Sequence, residues 1–300
     1  MESYFDVIIV GGSYAGLSAA LSLGRSLRNV LIIDSGLPCN RQTPHSHNFL
    51  TQDGSVPQEI AKLGKHQVAQ YPSVSFHEGR AIKGEPLVDG FTITVDNGKQ
   101  FTGKKLIFAT GIADTMPAIK GFADCWGISV IHCPYCHGYE VRGANTGLIA
   151  NGDKAAHMAS LIHNLTDKLT ILTAGKANFT AEQEAKFIKH NIAVVEKEIS
   201  EIIHEEGYVQ SVVFVDGTTM DFKAVYAPLP FTQHCTIVED LGCTFTEQGF
   251  IQVDGSQKTS VAGVYACGDN CSPMRSVSNA VSTGTFCGAM VNMELVTENF

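Results

Sequence analysis

The sequence predicts an α/β protein in which one nucleotide-binding domain is inserted into another. Two observations carry this reading. An apolar run, a glycine-rich turn, a helical stretch and a second apolar run follow one another over residues 5–34, and a similar β–turn–α–β succession recurs over 146–172.

The first apolar run, Phe5–Val10, ends in Gly11-Gly12-Ser13-Tyr14-Ala15-Gly16. Leu17, Ala20, Leu21 and the small Gly24 then share a helical face, and Val30–Ile33 forms a second strand ending in Asp34. Lys105–Ala109 is another strand, closed by Thr110-Gly111. A second unit begins near Asn145, with strands over Thr146–Ala150, Leu169–Leu172 and Ala193–Val195 and helices over Ala155–Leu165 and Ala181–His190. Segment 208–227 alternates like a β-meander with a turn at Asp216-Gly217, and Pro228-Leu229-Pro230 reads as the linker back. A last strand ends at Tyr265–Ala266, before Cys267-Gly268-Asp269, and Arg275–Leu295 has helical spacing through Val277, Val281, Cys287 and Val291.

With 44% hydrophobic and 17% charged residues, a packed core is expected and disorder is not. A net charge of −9 gives the chain no attraction to phosphate backbones or anionic lipid, so no nucleic acid and no membrane is an expected partner. No apolar run reaches the roughly 18–20 residues of a membrane span. The opening MESYFDVIIVGG has neither a basic leader nor a cleavage site, which makes the expected location cytoplasmic. The acidic stretch Glu196–Glu206 reads as a solvated face. Nine cysteines, an odd number, argue against a secreted disulfide framework. Most, including Cys39 and Cys267, read as packing residues.

Three motifs carry chemistry. A turn such as GGSYAG lets the backbone approach a pyrophosphate and aims a helix N-terminus at the anion, while Asp34 is placed to accept from ribose hydroxyls. Ser13 stands where a glycine is usual; its hydroxyl can also donate to phosphate. The bland alternative is a tight βα turn without a ligand. Gly268-Asp269, with the helix after Arg275, offers backbone N–H groups and one carboxylate to a polar cofactor chain; joined to GGSYAG and Ala109-Thr110-Gly111, the set becomes specific. In Cys133-Pro134-Tyr135-Cys136-His137 the two-residue spacer lets the sulfurs close a small disulfide ring, and His137 can take a thiol proton or stabilise a thiolate. A metal half-site and a pair of structural cysteines remain the rival readings. There is no second CxxC to complete a tetrahedral site, and no metal is expected.

With these motifs in this order, the chain resembles the low-molecular-weight thioredoxin reductase family over nearly its whole length. The resemblance implies a discontinuous FAD-binding Rossmann-like domain (three-layer ββα) over residues 1–115 and 230–300, and an inserted NAD(P)-binding-like domain over 116–229 that carries the CxxC. It implies that Cys136 adjoins the flavin and that Cys133 exchanges with substrate. The implied FAD contacts are Gly11, Gly12, Ser13, Ala15, Gly16, Asp34, Ala109, Thr110, Gly111, Gly268, Asp269, Arg275, Ser276 and Val277. It also implies a homodimer.

Two departures redirect the reading. The family reductases carry an aspartate after the second cysteine, where this chain has His137. Its second nucleotide turn reads Ala150-Asn151-Gly152-Asp153-Lys154-Ala155, and Thr173-Ala174-Gly175-Lys176 offers no arginine fork for a 2′-phosphate, so NADPH or NADH as cofactor is doubtful. Both departures, and the segment Pro38-Cys39-Asn40-Arg41…His45-Ser46-His47, resemble the flavin-dependent dithiol oxidases related to the gliotoxin and holomycin enzymes. That resemblance implies His137 as base, and Asn40, His45 and His47 as flavin-edge or pocket residues. The favoured expectation is a dithiol oxidase passing electrons to oxygen. The alternatives are a reductase of thioredoxin or a small disulfide, using NADPH, NADH or another donor, and a non-enzymatic flavin-holding redox sensor.

Overall fold

The computed structural model describes residues 4–300. Contacts divide the chain into two compact units. The first runs through Arg41, resumes over Asn48–Ala113 and returns over Phe231–Phe300; the second comprises Gln42–His47 and Asp114–Pro230.

The first unit is built on a seven-stranded sheet. Tyr4–Val10 lies between Val30–Asp34 and Gln100–Phe108, parallel to both. Val74–Glu78 extends the parallel side, Val264–Ala266 pairs in parallel with Gln100–Phe108, and the hairpin Ala81–Leu87/Gly90–Val95 adds an antiparallel side. Successive residues of the first strand face opposite ways, and both faces are covered. Val7 and Ile9 join one core with Val30, Ile32 and Ile107 beneath the helices Tyr14–Arg25 and Val277–Asn299. Ile8 and Val10 join the other, with Leu31, Ile33, Phe91, Ile93, Ile237 and Ile251. That double burial is why Val-Ile-Ile-Val reads as a continuous apolar run.

The two helices approach closely. A Cβ on Gly284 would stand 2.1 Å from the Ala15 carbonyl oxygen, and one on Gly288 would stand 2.5 Å from that of Ala19. Small residues are therefore required where the C-terminal helix crosses the helix after the first glycine-rich turn.

The second unit holds five parallel strands in the order Ala193–Val195, Leu169–Leu172, Thr146–Ile149, Ala224–Tyr226, Val130–Ile131. A separate antiparallel sheet comprises Ile199–Glu205, Tyr208–Phe214 and Thr219–Asp221. The fold class is the α/β architecture that the sequence predicts.

Four details differ from the sequence reading. The meander begins earlier, at Ile199, and Ala224–Tyr226 leaves it for the parallel sheet. The acidic stretch thus contains an edge strand with Ile202 buried; its charges mask a period-two pattern. Gln42–His47 packs with the second unit, where Ser46 is buried and Thr43 Oγ1 stands 3.1 Å from the Cβ position of Gly127. Cys39 is exposed, not packed, because it sits in the irregular segment after Asp34. Among the described residues, no helix is long and apolar enough to cross a membrane.

The end of the C-terminal helix is pinned by charge. Lys105, buried on a central strand, donates to Glu294 at 2.6 Å and to Glu298 at 2.5 Å. Tyr265 donates to Glu294 at 2.5 Å, and Lys258 also pairs with Glu294. Burial opposes ionisation of Glu294, but the bonds from Lys105, Lys258 and Tyr265 outweigh it and bring its carboxyl down to about 2. A carboxylate held below its unfolded value stabilises the fold above that value and loses the contribution as pH falls towards the folded one. Glu294→Gln is expected to cost about 1–3 kcal/mol at neutral pH. It should also reduce the loss of stability between about pH 4.5 and about 2. Chemical denaturation across that range checks both; a variant whose stability equals the parent's at pH 7 contradicts the assignment.

Candidate functional site

In the first unit, three turns meet at the carboxyl ends of the parallel strands, the place where doubly wound sheets bind ligands. Gly11 has φ 105°, and a Cβ there would lie 2.3 Å from the Ala109 carbonyl oxygen. Gly12 donates its N–H to Asp34 Oδ1 at 3.0 Å, which fixes the carboxylate at the turn. Ser13 is the N-cap of Tyr14–Arg25 but makes no side-chain cap bond, and the first helical turn contains no acidic residue. Ala15 and Gly16 are buried at the start of this helix, and a Cβ on Gly16 would overlap the Gly11 carbonyl.

The other two turns are tied to each other. Asn270, fully buried, donates through Nδ2 to the Phe108 carbonyl at 2.8 Å and to Thr110 Oγ1 at 3.2 Å. Its Oδ1 is buried without a partner among the described residues. Gly111 and Gly268 both have positive φ, and Gly268 donates to Thr283 Oγ1. Asp269 is partly exposed beside them, next in the chain to Gly268. Arg275 precedes the C-terminal helix, whose N-cap Ser276 accepts from Asn279 N at 3.1 Å, with Val277 as the first helical residue. Asn40 donates to the Tyr14 hydroxyl at 3.2 Å. A helix start without a side-chain cap, a carboxylate fixed at the turn and a buried amide oxygen without a partner among the described residues form a set of polar groups that fits a dinucleotide cofactor such as FAD. Asn270 was not foreseen; its only sequence signal is its place directly after Gly268-Asp269.

The corresponding turn of the second unit is closed on itself. Asn151 caps the helix Gly152–His163, accepting from Gly152 N and from Asn178 N, both at 2.9 Å. Its Nδ2 donates to the Lys176 carbonyl at 2.9 Å. Asp153 adds a carboxylate to the first turn and is held by Gln183 Nε2 at 2.7 Å. Thr173 Oγ1 donates to the Gly175 carbonyl at 2.6 Å. The segment 173–178 is thus stitched across the helix start.

Also in the second unit, Cys133 is the N-cap of the short helix Pro134–His137, which places both sulfurs at its start, 2.9 Å apart. Both cysteines are partly exposed. The His137 ring stands 6.1 Å from that of His47 at 81°, and His47 lies 6.4 Å from His45. His47 Nε2 is 3.6 Å from Glu140 Oε1. Burial lowers the His137 pKa from its ordinary value and His47 lowers it further, while Glu140 opposes them. The structure therefore gathers His45, His47 and His137 around the dithiol and gives His137 a neutral imidazole at pH 7. Glu140 was not foreseen, although it lies three residues beyond His137, one helical turn away. Among the described residues, no group of three or more His, Cys, Asp or Glu side chains is arranged to hold a metal ion.

Comparison with known proteins extends this picture. The pyridine nucleotide-disulphide oxidoreductase family matches residues 5–284. Thioredoxin reductase aclD of Aspergillus oryzae is 31% identical over 303 residues, covering 97% of this chain and 96% of that protein. Thioredoxin reductase sirT of Leptosphaeria maculans is 32% identical, covering 97% and 94%. The crystal structure of an oxidoreductase from Agrobacterium tumefaciens superposes with a TM-score of 0.92 at 36% identity, covering 98% of this chain and 99% of that one.

The electrostatics of His137 can be read directly. Its titration midpoint, followed by NMR, is expected below the ordinary 6.5. Glu140→Gln should move the midpoint lower still, because Glu140 is the group that favours the imidazolium. A midpoint above 6.5, or an upward move in the variant, contradicts this.

Proposed function

The chain belongs to the pyridine nucleotide-disulphide oxidoreductase family and is a flavin-dependent, thioredoxin reductase-like disulfide oxidoreductase; from that premise we propose that it works as a dithiol oxidase with Cys133 and Cys136 as its redox pair. The observation that supports this most is the closed turn of the second unit. A nicotinamide dinucleotide needs the N–H groups of that helix start for its pyrophosphate, but Asn151 already accepts one of them and Asp153 repels an incoming anion. Electrons then enter from a thiol pair instead.

In the proposed cycle one substrate thiolate attacks Cys133 Sγ of the oxidised pair; the Cys133–Cys136 bond breaks and Cys136 leaves as thiolate. The second substrate thiolate attacks the sulfur bound to Cys133, forming the substrate disulfide and releasing Cys133 as thiolate. His137, neutral at working pH, takes a substrate thiol proton. The chemistry that FAD would supply when bound is a two-electron acceptor for the dithiol that can be reoxidised by oxygen to give hydrogen peroxide. In this reading the N–H groups after Ser13 would hold its pyrophosphate, and Asp34 would accept from its ribose hydroxyls. Ala109-Thr110-Gly111 and Gly268-Asp269 would line the remaining chain, and Arg275, Ser276 and Val277 would hold the flavin end.

A second reading, reduction of a thioredoxin-like disulfide by NADPH or NADH, is favoured by the names of the two fungal relatives. We further propose that two copies associate. Phe286, Met293 and Val296 form an exposed apolar stripe on the C-terminal helix, whose opposite face is buried. Sedimentation equilibrium at twice the chain mass is the expected result, and a monomer at micromolar concentration would contradict it.

In aerated buffer, a small dithiol is expected to drive oxygen uptake with peroxide release matching disulfide formed. Cys133→Ser and Cys136→Ser should abolish it, and His137→Asn should slow it by about 10²-fold or more. Full turnover in either serine variant removes the redox pair from the account. Disulfide reduction driven by NADPH without oxygen uptake supports the second reading.

A further inference from the structure

Tyr226 ends the strand Ala224–Tyr226 and pairs in register with Ile131, two residues before Cys133. Its ring lies in an apolar cluster with Ile131, Leu148, Ala155, Met158 and Ile162, and the residue is 1% exposed. The hydroxyl reaches the underside of the redox turn: it stands 2.8 Å from where a Cβ on Gly138 would be, beside the Pro134 carbonyl at 2.4 Å from the same point. Glycine is therefore required directly after His137. The hydroxyl has no hydrogen-bond partner among the described residues.

A buried orphan hydroxyl costs about 1–3 kcal/mol, and phenylalanine would fill the same space without that cost. The tyrosine makes sense if the hydroxyl acquires a partner in another state of the site. The two titratable groups that act on it are Cys133 and Glu140; burial first, and then these two, hold the phenol far above its ordinary value. It stays protonated throughout the working range and so keeps a proton to donate.

We infer that Tyr226 is a positioning residue for the redox pair, its buried hydroxyl supplying a hydrogen-bond donor on the inner side of the Cys133 turn that favours Cys133 as thiolate. This rests on the dithiol reading above and deepens it. The effect falls on the second exchange step, in which the bond between substrate sulfur and Cys133 breaks and its electron pair leaves on Cys133. A leaving thiol of lower pKa departs faster. No proton leaves the phenol. The other titratable groups at the turn are Cys136, His137 and Glu140 on the turn itself and His47 from the Gln42–His47 segment; from the helix Gly152–His163, Ala155, Met158, Ala159 and Ile162 share the apolar cluster of Tyr226.

The test is Tyr226→Phe in the full-length flavoprotein. The reduced protein is alkylated with iodoacetamide across a pH series, and modification of the Cys133 peptide is followed by mass spectrometry. The variant is expected to titrate Cys133 about one pH unit higher, so that alkylation below the midpoint slows about tenfold. Its melting temperature should be equal or higher. Superimposable pH profiles overturn the inference whatever the melting temperature does, since a purely structural tyrosine would move only the latter. Failure of the oxidase reading is seen separately, as a parent protein with no dithiol-driven oxygen uptake; the alkylation profile needs no turnover and reports on Tyr226 in either case.

Discussion

The backbone N–H groups in the first turn of a helix can serve one acceptor at a time, and this protein assigns its two comparable sets differently. After Ser13 they meet no side-chain cap and no acidic residue. After Asn151 the first is already bonded to the cap, an aspartate follows, and the cap amide also binds the segment that crosses the helix start. Both turns have the same β–turn–α setting, so the difference lies in a few side chains and not in the fold. One helix start can neutralise a pyrophosphate; the other has been neutralised by its own chain. The proposed electron source of the dithiol rests on that contrast.

The surroundings of the dithiol fit a route that begins with thiols. An aspartate after the second cysteine would place a fixed negative charge beside the sulfurs. His137 instead offers an imidazole kept neutral by burial and by His47. The Gln42–His47 segment brings His45 and His47 to the redox turn, although in sequence it lies far from Cys133. Tyr226 completes the arrangement from the apolar side.

Much of the fold was legible because fully buried parallel strands leave unbroken apolar runs; Phe5–Val10, Val30–Ile33 and Leu169–Leu172 all lie in strands as read. The strand within the acidic stretch was hidden, because on an edge strand the outward residues are free to be charged. The hairpin Ala81–Leu87/Gly90–Val95 and the helix Pro57–Val68 lack runs strong enough to stand out. At the candidate site the turns and the CxxC could be read from local spacing. Asn270, Glu140, Tyr226 and the capping role of Asn151 could not, since each acts through a neighbour that only the folded chain supplies. Cys39 misled for the same reason: cysteine is usually packed, but here it falls in an irregular segment.

The most direct test of the central claim is an anaerobic titration of the purified yellow protein, following the flavin band while NADPH, NADH and a small dithiol are added in separate cuvettes. The closed turn at Asn151 predicts bleaching by the dithiol alone, with colour and peroxide returning together when air is admitted. Rapid bleaching by either nicotinamide would contradict it, and would mean that the Asn151 cap opens to admit a dinucleotide.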